Sequence, residues 1–159
     1  MDFTKLASSV GQALIERSWQ IVTAESCTGG WLTQVLTSIP GASAFFDRGF
    51  VTYSNESKVD LLGVSAKTLS KVGAVSEQTV TEMAQGALKR SQAQVAVAIT
   101  GLAGPSGGSE AKPIGTIWFG AASQDKPVLT KCEHFSGDRE SIRKQAVQFA
   151  LNMLLDKYL

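Results

Sequence analysis

Two cysteines and a single histidine are all that 159 residues contain of the side chains that most often bind transition metals. Cys27 and Cys132 lie far apart and show no CxxC or Cys/His spacing, so neither a zinc site nor a disulfide framework is expected, and the reducing cytosol is the expected compartment. His134 stands alone, which excludes HExxH and any other two-histidine site within one chain. The sequence has no Gly-Lys dipeptide and no Gly-x-Gly, so a Walker A loop and the dinucleotide fingerprint are both missing. ATP hydrolysis and hydride transfer lose their main support. No window reaches the ~20 apolar residues of a membrane span, and residues 1–10 carry Asp2 and Lys5 where a signal peptide needs an apolar core. A net charge of +1, with acids and bases mixed along the chain, supplies no basic field for a nucleic-acid backbone. Neither nucleic acid nor membrane is an expected partner.

What is present reads as an ordinary folded chain. Apolar residues make up 43% and charged residues 18%, and at this length roughly two-thirds of the unfolded surface can be buried. There is no repeat, linker or low-complexity stretch, so one domain over residues 1–159 is expected. Apolar positions at Phe3, Leu6, Val10 and Leu14 keep the spacing of an opening amphipathic helix. Gln20 to Glu25 reads as a short strand. Ser26 to Gly30 then turns into a second helix carrying Trp31, Leu32, Val35, Leu36 and Ile39, stopped by Pro40 and Gly41. A strand is predicted over Gly49 to Tyr53, followed by a turn at Ser54 to Glu56 with Lys58 just beyond it. Ser65 and Ser76 read as N-caps, the second opening a helix with Val80, Met83, Ala84, Ala87 and Leu88 on one stripe. Strands follow at Gln94 to Thr100, Ile114 to Ser123 and Val128 to Phe135, the last two joined by a hairpin turn at Lys126 and Pro127. A final helix runs from about Asp138 to Tyr158. Helices alternating with strands predict a three-layer α/β/α domain with a mixed, mostly parallel sheet of about five or six strands.

Ligands of open α/β sheets collect at the carboxyl ends of the strands, and three segments qualify. Thr23-Ala24-Glu25-Ser26-Cys27-Thr28-Gly29-Gly30 puts a hydroxyl at a strand-to-helix turn beside two glycines, where a serine nucleophile would find backbone donors. Tyr53-Ser54-Asn55-Glu56-Ser57-Lys58 brings a phenol and an amine past another strand end. A buried lysine loses its proton more readily and can then deprotonate a serine. The loop Thr100 to Ser109, with four glycines and three hydroxyls, resembles an anion cradle. Each segment also has a plainer reading: Ser26 as a helix cap, Lys58 as a solvated charge, the glycine-rich loop as a connector. Cys27 at the same helix start is an alternative nucleophile, if its thiol pKa is lowered there. Trp31 and Trp118 read as core, His134 as an edge or surface residue, and Arg139 with Arg143 as a solvated helix face. Arg139, following Ser136-Gly137-Asp138 at a helix start, is nevertheless placed to grip an anion.

These segments resemble the CinA C-terminal-domain family, and within it the stand-alone members that deamidate nicotinamide mononucleotide. The resemblance runs from about Leu6 to Leu155. It rests on TAESCTGG at 23–30, GFVTYSNESK at 49–58, GAVSE at 73–77, ITGLAGPSGG at 99–108, KPIGT at 112–116 and FSGDR at 135–139. It implies hydrolysis of the nucleotide's carboxamide to the acid and ammonia, with no metal or organic cofactor. Ser26 would be the nucleophile, Lys58 its general base, and Tyr53 an aid in placing the proton. Ser43, Thr100 and Arg139 would line the substrate pocket, Arg143 being the alternative to Arg139. Backbone N–H groups at Gly29 and Gly30 are the candidate oxyanion donors, and the loop from Gly101 through Gly104 to Gly108, or Arg139, the candidate phosphate site. Family resemblance also implies a homodimer, and an absent N-terminal domain that longer members carry. Two other readings stay open: a non-catalytic pyridine-nucleotide-binding regulatory module, and an amidohydrolase for another small amide.

Overall fold

The computed structural model describes residues 2–159. Five strands form one mixed sheet in the order β2-β1-β3-β4-β5. The strands are β1 (Ile21–Glu25), β2 (Phe46–Val51), β3 (Val95–Gly101), β4 (Thr116–Ser123) and β5 (Lys126–His134). β2, β1 and β3 run parallel, while β4 and β5 are antiparallel to their neighbours. The sheet is therefore mixed and five-stranded, with parallel and antiparallel pairings equal in number.

Helices cover both faces. On one side α1 (Phe3–Glu16), α2 (Trp31–Thr37) and α6 (Arg139–Met153) bury Leu14, Leu36 and Val147 against Ile21, Val97, Ile99 and Phe119 of the sheet. On the other, α5 (Glu77–Lys89) packs Val80, Met83 and Ala87 onto Ala24, Ala96, Ala98 and Ala122, with α3 (Asn55–Leu62) and α4 (Ala66–Val72) beside it. Alternate residues of each strand supply the two faces, as the pleat requires. The strand residues under α5 are mostly alanine, which lets this helix sit close to the sheet. Its Gly86 permits a second close approach: a Cβ there would stand 1.9 Å from the Leu62 carbonyl oxygen at the end of α3.

Three boundaries differ from the sequence reading. Ser54 to Glu56 is the start of α3, with the Ser54 hydroxyl accepting from Ser57 N–H at 3.1 Å, so Lys58 sits inside a helix. That helix has only Lys58 and Leu62 buried, and its weak apolar pattern hides it from a periodicity argument. β2 begins at Phe46, three residues before the expected Gly49, because pairing with β1 extends the strand across the polar Asp47 and Arg48. Lys126 and Pro127 belong to edge strand β5, where a proline's missing N–H costs no ladder bond, and Gln124 with Asp125 forms the hairpin turn.

Candidate active site

The C-terminal ends of the three parallel strands lie side by side, and each delivers one of the segments singled out above. Glu25 pairs with Val51 on one side and Ile99 on the other, so the chain leaves β1, β2 and β3 at the same level. Ser26 N–H donates to the Ile99 carbonyl at 3.0 Å and Thr52 N–H to the Glu25 carbonyl at 2.8 Å, which carries the ladder one step past the strands. A cavity of about 350 Å³ opens there, lined among others by Ser26, Tyr53, Lys58, Thr100, Gly104 and Arg139. A groove of about 700 Å³ lies at the other end of the sheet, between α5 and the β4–β5 hairpin, and contains none of these groups.

Lys58 reaches Ser26 from α3. Its Nζ stands 3.0 Å from Ser26 Oγ, 2.7 Å from the Thr52 carbonyl oxygen and 3.2 Å from that of Tyr53. A neutral amine has two hydrogens and one lone pair. With the hydrogens donated to the two carbonyls, the lone pair is left facing the serine hydroxyl. Lys58 is 1% exposed and forms no ion pair among the described residues. Burial lowers its pKa from 10.5 to about 8, and the Cys27 thiol opposes this only weakly. Roughly a tenth of the amine is therefore unprotonated at pH 7, and half of it near pH 8.

Cys27 does not take the nucleophile's part. It is 5% exposed, packs in the core, and burial pushes its thiol up to about 12, so the thiolate is not available at neutral pH. The two arginines of α6, one turn apart, separate cleanly. Arg139 lines the cavity, donating from Nη1 to the Gly104 carbonyl at 2.8 Å and from Nη2 to Tyr53 Oη at 2.9 Å. Arg143 donates from Nε to the Cys27 carbonyl at 3.0 Å and from Nη2 to the Thr28 carbonyl at 3.1 Å, away from the cavity wall. Thr100, 1% exposed, donates its hydroxyl to the Ala74 carbonyl at 2.9 Å and ties the 73–76 segment to the cavity. Gly101 and Gly104 lie on the wall, together with Asn55 of the second segment and Leu102 and Ser106 of the third.

Three expected residues lie elsewhere in this chain. Ser43 is exposed on the 3-10 turn Ala42–Ala44 before β2, at the opposite end of the strand, where its carbonyl accepts from Gln20. Gly29 and Gly30 are not on the cavity wall either; they adopt left-handed φ values of 60° and 100°, which make the turn between β1 and α2. Gly29 N–H already donates to the Ser26 carbonyl at 3.0 Å and has no hydrogen to spare for an oxyanion. The N–H of Cys27, directly after the serine, donates to no other described group.

A three-layer α/β fold thus brings a serine just past β1 together with a desolvated lysine from α3, the helix that follows β2, an arrangement suited to the hydrolysis of an amide. The chain belongs to the CinA C-terminal domain family, whose model matches residues 3–158. It is 52% identical over 158 residues to the nicotinamide-nucleotide amidohydrolase PncC of Escherichia coli strain K12, covering 99% of this chain and 96% of that one. The PncC of Pseudomonas putida is 47% identical over 152 residues, 96% and 94% of the two chains. Among solved structures, the competence/damage inducible protein CihA from Agrobacterium tumefaciens superposes with a TM-score of 0.94 at 45% identity, covering 98% of this chain and 94% of the other.

Proposed function

We propose that this protein hydrolyses the carboxamide of nicotinamide mononucleotide to nicotinic acid mononucleotide and ammonia, as a step of pyridine nucleotide salvage. The observation that carries the reading is the Ser26–Lys58 pair: a hydroxyl and a desolvated amine 3.0 Å apart on a cavity wall, the amine's other bonds made to two carbonyls. The names of the PncC relatives support the substrate.

Lys58 takes the proton from Ser26, whose oxygen attacks the carboxamide carbon. Negative charge gathers on the carbonyl oxygen, and the Cys27 N–H, next to the nucleophile and bonded to no other described residue, is the donor for it. The amide C–N bond breaks, the leaving nitrogen takes the proton back from Lys58, and ammonia departs. Water, deprotonated by the same lysine, then releases the acid from the acyl-serine. Among the described residues the cavity wall carries the Arg139 guanidinium and no carboxylate, so the site favours an anionic substrate. Arg139 spends two of its five N–H groups on Gly104 and Tyr53 and keeps the rest for a phosphate.

The test is ammonia release from nicotinamide mononucleotide and from free nicotinamide by the wild type, Ser26→Ala, Lys58→Ala and the double variant. Release from the nucleotide only, nearly abolished in each single variant and little lower in the double, is expected of residues that act as one unit. Turnover surviving in Ser26→Ala would overturn the nucleophile, and no release by the folded wild type would overturn the substrate.

A further inference from the structure

Ser26 must hold its oxygen within reach of Lys58, and it sits on a turn whose two glycines take left-handed φ. Two charged residues that do not touch the cavity grip this turn from opposite sides. Glu25, the last residue of β1, is wholly buried, and its carboxylate accepts four hydrogen bonds. Oε1 takes Thr28 Oγ1 at 2.6 Å and Leu32 N–H at 2.9 Å, and Oε2 takes Thr33 N–H at 2.9 Å and Thr33 Oγ1 at 2.7 Å.

The N-cap position of α2 is Gly30, which has no side chain to bond the helix's first N–H groups. Glu25 supplies that cap from across the turn, so the residue before the nucleophile is bolted to the helix after it. From the other side Arg143 grips the Cys27 and Thr28 carbonyls, with its guanidinium 5.5 Å over the Trp31 ring. Five residues of turn are thus held at both ends and from outside.

We infer that Glu25 and Arg143 are positioning residues for the nucleophile, setting the Ser26–Lys58 alignment without contacting substrate. The inference deepens the Ser-Lys reading and rests on it. Loosening the turn shifts Ser26 and Cys27 but leaves the rest of the cavity wall, Arg139 included, in place, so substrate binding is largely kept while the chemical step slows; displacement of a reacting group by about 1 Å costs on the order of 100-fold.

Glu25→Gln replaces one acceptor oxygen by an amide that faces donors. Arg143→Gln shortens the outer grip and leaves no buried charge unpaired, so it serves as the variant that keeps the fold if the first does not. Arg143→Lys retains a cation able to reach one carbonyl and is expected to recover part of the loss. Two readouts separate the outcomes. For turnover of nicotinamide mononucleotide, kcat is expected to fall tenfold or more with KM within about twofold of wild type. The second is the rate at which a fluorophosphonate labels Ser26, with the oxygen–phosphorus bond forming, fluoride leaving and the hydroxyl proton passing to Lys58. It needs no natural substrate, so it tests the positioning even if the nucleotide is not turned over, and it is expected to fall in parallel with kcat. Labelling at the wild-type rate in folded Arg143→Gln and Glu25→Gln would overturn the inference, as would a loss confined to KM.

Discussion

Lys58 is the residue on which both the proposed catalysis and the charge balance turn. An amine whose pKa is lowered to about 8 by burial is mostly protonated at pH 7 and mostly free at pH 9. The base must be unprotonated, so kcat/KM is expected to rise with pH, roughly tenfold per unit well below the midpoint, and to level above about 8. A flat profile from pH 6 to 9 would show that another group accepts the proton. Glu25 makes the complementary point about buried charge. A carboxylate costs several kcal/mol to bury unless hydrogen-bonded, and here two backbone N–H groups and two threonine hydroxyls meet it. Neither feature is announced by residue type. The sequence reads Glu25 only as the end of a strand, and it leaves Lys58 open between a solvated charge and a base.

At the scale of elements, the critical contact is α3 against α5. The lysine is useful only if α3 lies at the right height, and Gly86 sets this by letting Leu62 approach the α5 backbone. Gly86→Ala puts a methyl within 1.9 Å of the Leu62 carbonyl oxygen, so α3 must move. The expected cost is about 1–3 kcal/mol of stability and roughly 100-fold in kcat, read by denaturant titration and steady-state kinetics. Wild-type activity in this variant would mean that α3 is held by other contacts. This helix was also the least legible element. Its inward side consists of a lysine and a leucine, so no apolar stripe marks it, and the Ser54 cap reads equally as a turn. β1 and β3, by contrast, are buried along nearly their whole length and are visible as short apolar runs.

For the molecule as a whole, the same lysine gives stability a pH dependence of definite sign. The folded state binds the Lys58 proton less tightly than the unfolded chain, about 8 against 10.5, so this contribution is present above the unfolded pKa and is lost as pH falls through the folded one. Both cysteines are shifted upward from 9.0, which makes their contribution full below that value and lost above it. The window free of opposition is pH 8 to 9. There the wild type is expected to gain about 1 kcal/mol relative to Lys58→Met; parallel curves for the two in urea titrations would show that the lysine keeps its ordinary pKa.

The layered fold, the three segments at strand ends and the family membership were all present in the order of residue types along the chain, because hydrophobic period, turn chemistry and motif spacing are local quantities. Tertiary structure alone decided which arginine faces the cavity, that Ser43 and the paired glycines stand away from it, that Cys27 is inert, and that a lysine 32 residues from a serine points its lone pair at it. Each of these depends on distance and desolvation between positions remote in sequence, and those arise only when the elements pack.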